Sequence, residues 1–179
     1  MSCPQSLTGI PKDCHASMGG IEEVLLANKD DIASITISEN MISAITMVTT
    51  GEGNAAVAAT FKQYLFRPGT GSLTSEYQID EAAGTQYVQT LLALAFNRME
   101  TSKRVEIGAI ALADAVAIVK DANGKYWFLG YDHPLHLNAG GGETGTARGD
   151  RNAYTITLQD DSMELPYEVS SSIIAGLLG

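Results

Sequence analysis

The stretch Leu112–Leu158, LADAVAIVKDANGKYWFLGYDHPLHLNAGGGETGTARGDRNAYTITL, carries the densest local signals in the chain. Two apolar runs, Ala115–Val119 and Tyr126–Leu129, flank the polar segment Lys120–Lys125. Asn123-Gly124 between β-prone runs predicts a hairpin, because both residues tolerate the positive φ that tight hairpin turns need. Trp127 is expected on the buried face of the returning strand. Gly140–Gly149 reads as a glycine-rich loop. Tyr154–Leu158 then alternates Tyr154, Ile156 and Leu158 against Thr155 and Thr157, the period of a half-buried strand.

The flanking chain supplies more strands. Gly20–Leu26, Ile32–Ile37 and Met41–Thr49 read as strands, separated by polar turns at Asn28–Asp31 and closed at Gly51–Asn54. Ala55–Arg67 begins alanine-rich, which suits a helix, and ends aromatic, which suits a strand. Ser72–Ile79 is a strand that turns at Asp80–Gly84 and returns as Thr85–Arg98. Apolar residues fall on both faces of that return, so periodicity admits a buried helix as well; the preceding turn and the threonines favour a strand. Thr101–Ala113 is the clearest helix, with Val105, Ala109 and Leu112 in one stripe and Thr101 or Ser102 as cap.

These elements amount to a mainly β chain: an antiparallel sandwich or barrel with one flanking helix. Residues 20–169 form the single domain. An extended, Pro- and Gly-containing arm, residues 1–19, precedes it, and a short apolar tail, residues 170–179, follows. A length of 179 residues allows a sizeable core. Acids outnumber bases 21 to 11, a formal net charge of −10 that opposes binding to nucleic acid. No apolar run is long enough to cross a bilayer, and the N-terminus does not read as a signal segment.

Candidate chemistry is sparse. Gly140–Gly145 lacks the Lys-Ser/Thr ending of a phosphate loop and precedes a strand, so turns are its expected role. Asp132, His133 and His136 are too few for a closed metal site. Asp150, in Arg148-Gly149-Asp150, is expected to cap backbone amides in a turn. There is no Gly-x-Ser-x-Gly elbow. Cys3 and Cys14 could be reduced thiols, a disulfide, or metal ligands with His15; a reducing compartment favours thiols.

The order of motifs resembles the tail tube proteins of tailed bacteriophages. Ser72–Ile79, Glu81–Gly84 and Tyr87–Phe96 resemble that family's tube-wall hairpin, and Arg104–Ala113 its flanking helix. Val116–Gly130 resembles its hairpin with an aromatic return strand, while Thr144-Gly145, Asp150, Tyr154–Leu158 and Glu164–Pro166 resemble its loop and closing strand. The likeness covers residues 60–169 and leaves out the arm and the tail.

The resemblance implies a β-sandwich or barrel with a helix at its side, similar to the inner tube of type VI secretion systems. It implies a virion structural protein, not an enzyme, whose rings, usually hexameric, stack into a hollow tube for DNA passage without specific DNA binding. Partners would be further copies and other tail proteins. Neither a cofactor, a metal nor a membrane is implied. The place would be the virion tail, after assembly in the host cytoplasm. A ring protein at a tail end or head–tail junction fits the same pattern. Subunit contacts are expected at Cys3, Cys14, Glu76, Tyr77, Asp80, Glu81, Ile173, Ile174, Leu177 and Leu178, with arm and tail packing on neighbours; the alternative for the tail is to cover the chain's own sheet. Two other classes compete: a carbohydrate- or peptide-binding module using Tyr126, Trp127 and Tyr131, and a small hydrolase using Asp132 and His133.

Overall fold

The computed structural model describes residues 9–51 and 57–178. In chain order these form β1 (Ile21–Asn28), a short 3-10 turn, β2 (Ile32–Ser38), β3 (Met41–Met47), β4 (Thr49–Thr50), β5 (Val57–Ala58) and β6 (Lys62–Leu65). The hairpin of β7 (Ser72–Asp80) and β8 (Thr85–Asn97) follows, then α1 (Thr101–Leu112), β9 (Ala115–Asp121) and β10 (Tyr126–Leu129). The chain ends through β11 (His136–Glu143), β12 (Ala153–Ser162), β13 (Tyr167–Val169) and α2 (Ser171–Leu177).

The strands make a seven-stranded sheet, ordered β2-β3-β13-β10-β9-β1-β6, and a four-stranded sheet, ordered β11-β12-β8-β7, beside the small β4–β5 pair. Neither large sheet closes on itself, so the sandwich alternative holds and the barrel does not. All pairings are antiparallel except β13 with β3, which run parallel.

The long apolar strands are explained by two layers of core. Val24, Leu26, Ala117, Val119 and Leu129 face Leu92, Leu94, Ile156 and Leu158 of the four-stranded sheet. Leu25, Val116, Ile118 and Phe128 point the other way and pack with Phe61, Ile42, Val169, Ile174 and Leu177. The seven-stranded sheet is thus covered on both faces. Ala115–Val119 is accordingly buried at every position, as a strand sandwiched between two layers must be. The period-2 pattern over Tyr154–Leu158 continues beyond it, because β12 runs on to Ser162 with Ile156, Leu158, Asp160 and Ser162 all facing inward.

Several expectations change. The apolar tail does not wait for a neighbour: α2 lies on the seven-stranded sheet, with Ile174 and Leu177 buried and Ile173 and Leu178 packed beside them. Phe61 forms an isolated parallel bridge with Leu178 and donates its backbone N–H to the Leu177 carbonyl at 2.9 Å. The second face of that sheet would otherwise lie bare, and each buried side chain contributes roughly 1.5–3 kcal/mol. So the described residues form two α-helices rather than one.

The expected stripe on α1 is turned outward: Val105 and Leu112 are exposed, Leu112 almost completely at 92%. Ile107 and Ile110 pack on the core instead, and Lys103 Nζ donates to the carbonyls of Asn97 and Arg98 at 2.6 and 3.1 Å. The same helical period fits either stripe, and the two isoleucines gain more from burial. Glu100, not Thr101 or Ser102, occupies the cap position, without a side-chain capping bond.

Gly140–Gly142 lie not in a loop but in β11, at the sheet edge. Gly142 packs beneath the Tyr154 ring, where an added Cβ would come within 2.9 Å of its carbons. The helical option at the start of Ala55–Arg67 is replaced by β5; the residues before Val57 lie outside the described ones.

Candidate assembly surface

The β7–β8 hairpin is built from its turn upward. Asp80 Oδ1 accepts the backbone N–H groups of Ala82 and Ala83 at 2.9 and 3.1 Å. Gly84 closes the turn at φ +67°, a conformation open to glycine at little cost. Pairing then runs unbroken from Asp80↔Thr85 to Ser72↔Ala93.

One face of this ribbon is core near its base, where Leu73 and Leu92 pair and pack inward. Ser75 and the buried Thr90 share a hydroxyl hydrogen bond at 2.8 Å on the same face. Towards the tip the face continues as Tyr77 opposite Val88 and Ile79 opposite Gln86. Val88 is fully buried, but Tyr77 and Ile79 are 53% and 63% exposed. The hairpin therefore outruns the sheet that covers its base, and among the described residues Tyr77 and Ile79 on its inner face stay largely uncovered.

The outer face of the four-stranded sheet has a different character. Register places Thr74, Glu76, Gln78 and Asp80 of β7 beside Thr85, Tyr87, Gln89, Leu91 and Ala93 of β8. β12 adds Thr155, Thr157, Gln159 and Asp161, and β11 adds His136, Ala139, Gly141 and Glu143. Among the described residues the strands of that face carry no lysine or arginine; Arg151, just before β12, pairs with Glu143 at its border at 3.2 Å. Both outermost strands, β7 and β11, have one unpaired edge.

Of the residues expected at subunit contacts, Glu76, Tyr77, Asp80 and Glu81 come together on this hairpin and are exposed. Cys14 is also exposed, within an extended, solvent-facing run over residues 9–19. Cys3 lies outside the described residues. Ile174 and Leu177 are buried in the chain's own core, which corrects their assignment as contact residues, and Ile173 and Leu178 pack partly exposed beside them. The arm is fastened near its end: Asn123 Oδ1 accepts the Met18 N–H at 2.9 Å and Asn123 Nδ2 donates to the Met18 carbonyl at 3.0 Å.

The second concentration of polar groups was not legible beforehand. A cavity of about 130 Å³ is lined by Tyr131, Asp132, Asp160, Ser162, Glu164 and Tyr167, among others. Asp160 is buried; its Oδ2 accepts the Gly130 N–H at 3.0 Å, while Oδ1 has no protein partner among the described residues. Burial pushes its carboxyl above the ordinary range, against the Gly130 hydrogen bond and the Lys29 charge that pull it down. Lys29 Nζ donates to the Gly130 carbonyl and, at 2.6 Å, to that of Tyr131; its own burial lowers its pKa. The signal was the inward register of β12, which a strand ending at Leu158 does not reach.

This cavity does not assemble the expected alternatives. Asp132 Oδ2 accepts the Met163 N–H at 2.9 Å, so its geometry serves a turn. Among the described residues, no three His, Cys, Asp or Glu side chains converge where a metal ion could sit. Trp127 is half-buried, its Nε1 donating to Asp121 Oδ2 at 3.0 Å; the fully buried aromatic of β10 is its neighbour Phe128. Tyr131 packs edge-on against Tyr167 at 5.2 Å between ring centres. Asp150 does cap its loop, accepting the Thr146 and Ala147 N–H groups at 2.7 and 2.6 Å, and these bonds hold its carboxyl below the usual range.

Comparison with known proteins gives no match: no family model, no curated protein and no solved structure is similar to this chain.

Proposed function

We propose that the chain is a structural subunit that assembles with copies of itself into rings. In this reading it is a virion protein of the tail-tube type, in which stacked rings enclose a channel for DNA. One observation carries the reading: the four-stranded sheet is open at both edges, and the strands of its outer face carry no lysine or arginine. Unpaired strand edges are templates for pairing with another chain. A head-to-tail contact between unlike edges, β7 of one copy against β11 of the next, generates a ring when its rotation closes. The sheets would then line the ring, and the strands of their outer faces would meet the channel without a lysine or arginine. Such a wall repels a phosphate backbone rather than binding it. The uncovered inner face at Tyr77 and Ile79 supplies apolar area for the same contact.

Negative-stain microscopy with light scattering on the purified protein at high concentration tests this. Rings or short tubes with a central hole are expected. A monodisperse monomer across the concentration range would overturn it. Duplex DNA should show no shift in a gel at physiological salt; salt-dependent micromolar binding would argue against the channel.

A further inference from the structure

The bases are distributed as unevenly as the apolar residues. No lysine or arginine occurs between Pro68 and Asn97, which spans the whole β7–β8 hairpin. Its distal part carries Glu76, Asp80 and Glu81. Six of the chain's 11 bases, Arg67, Arg98, Lys103, Arg104, Arg148 and Arg151, lie at or next to the opposite end of the same sheet. The contacts that gather them are explicit. Arg98 N–H donates to the Asn152 carbonyl at 2.7 Å, and Lys103 reaches the Asn97 and Arg98 carbonyls. Arg67 and Arg151 line one open groove of about 610 Å³ with Pro68, Thr70, Asn97 and Asn152.

Three carboxylates stand among these bases, and each is engaged. Glu100 pairs with Arg98 at 3.0 Å and Lys103 at 3.5 Å. Glu143 pairs with Arg151 at 3.2 Å. Asp150 caps its own loop through one carboxylate oxygen. Arg67 and Arg148 make no ion pair among the described residues. β8 has 13 residues, so the acidic tip and the basic groove are separated by about 40 Å at ~3.4 Å per strand residue.

From this polarity we infer that the groove at Arg67 and Arg151 receives the β7–β8 tip of a second copy, so that copies stack head to tail along the hairpin axis. This rests on the assembly reading above and adds the axial contact to the lateral one. The tip is shaped for it: Ala82, Ala83 and Gly84 are small, so its backbone approaches a groove closely, with Glu81 in the turn and Glu76 four residues, about 14 Å, back along β7. A contact between two different patches of one chain repeats without closing, which is how a ring becomes a tube. Opposite charges fix its direction, because tip-to-tip and groove-to-groove meetings bring like charges together.

Charge exchange tests the inference. E76K/E81K reverses the tip, and R67E/R151E reverses the groove; all four residues are solvent-facing, and circular dichroism checks that each variant folds. Stack length is measured by negative-stain microscopy and sedimentation. Wild-type stacks should shorten when salt rises from about 0.1 M to about 1 M, as the screening length falls from ~10 Å to ~3 Å. Each variant alone should lose stacking by about tenfold or more, while an equimolar mixture should regain it as alternating stacks. The milder E76Q/E81Q should fall between wild type and E76K/E81K. Stacks indifferent to salt and to both reversals, or variants that fail alone and stay unstacked when mixed, would overturn the inference. Were the basic unit a monomer, the lateral reading would fail on its own, and the same mixture would still report head-to-tail chains.

Discussion

The two hairpins β9–β10 and β7–β8 share their turn chemistry and end in opposite surroundings. In each, an aspartate before the turn accepts two backbone amides: Asp121 those of Asn123 and Lys125 at 2.8 and 2.9 Å, Asp80 those of Ala82 and Ala83. In each, a glycine takes positive φ, Gly124 at +81° and Gly84 at +67°. Yet β9–β10 lies inside the seven-stranded sheet with core on both faces, whereas the distal half of β7–β8 buries only Val88 among its apolar residues and leaves Tyr77 and Ile79 exposed. Turn residues make a hairpin; what lies across from it decides whether the hairpin is core or surface.

Large-to-small changes should expose that difference most. Phe128→Ala empties a fully buried site in β10 and should cost about 3–5 kcal/mol in urea unfolding. Tyr77→Ala in β7 should barely move the monomer's midpoint while weakening assembly. Equal losses of stability would mean that the projecting face is covered within the chain itself. Leu177→Ala in α2 comes next, at about 2–4 kcal/mol. Its companion experiment, removal of residues 170–179, should unfold the monomer or leave it molten by near-ultraviolet circular dichroism. A truncated chain that kept native spectra and lost only assembly would restore the tail as a docking segment.

The glycines give a finer comparison. An added Cβ meets nothing within 4 Å at Gly124 or at Gly84, so only backbone strain opposes substitution. Gly124→Val should cost about 1–2 kcal/mol of global stability, the range for a left-handed non-glycine residue, or somewhat more because valine is β-branched. Gly84→Val carries similar strain at a tip that opens locally, so its cost should appear as faster amide exchange over residues 80–85 with a smaller shift in melting temperature.

The smallest effect concerns Asp121. Partial burial would raise its pKa, but hydrogen bonds from the Trp127 indole and from the Lys125 and Asn123 amides outweigh burial and lower it. A depressed folded-state pKa means stability that is present above the unfolded value and lost as pH falls through the folded one. Asp121→Asn should flatten that acid limb of melting temperature against pH. Unchanged acid sensitivity would show that the hairpin clamp does not depend on the charge.

Particular residues show where sequence patterns sufficed. Tyr126–Leu129 appears with its expected limits, Ala115–Val119 forms the apolar part of a strand that runs on to Asp121, and Asp150 has its expected capping role, because these depend on neighbours a few residues away. The Asn123-Gly124 turn also formed, though only Gly124 adopts positive φ; Asn123 keeps an ordinary backbone and spends its side chain on Met18. Trp127 shows the limit: it is opposite the buried Val119 yet only half-buried, at an open groove it lines with Ile21, Leu73 and Asp121. Val105, Ala109 and Leu112 looked like a core stripe, since a helix cannot reveal which of two apolar stripes meets a sheet. Asp160 was missed because a buried carboxylate contradicts hydrophobic patterning and becomes visible only when the register of β12 is known.

Residue order alone determined most of the strands, though not β11 or β13, and with them the tight turns, the long helix and the acidic balance; the local elements follow from interactions within one hairpin or one helical turn. Tertiary structure decided which faces are covered. It folded the tail under the seven-stranded sheet, turned Leu112 outward, drew Gly140–Gly142 into an edge strand, and left Tyr77 and Ile79 beyond the opposing layer. Burial is a property of pairs of elements far apart in the chain, and a local pattern records only that a face is apolar, not what covers it.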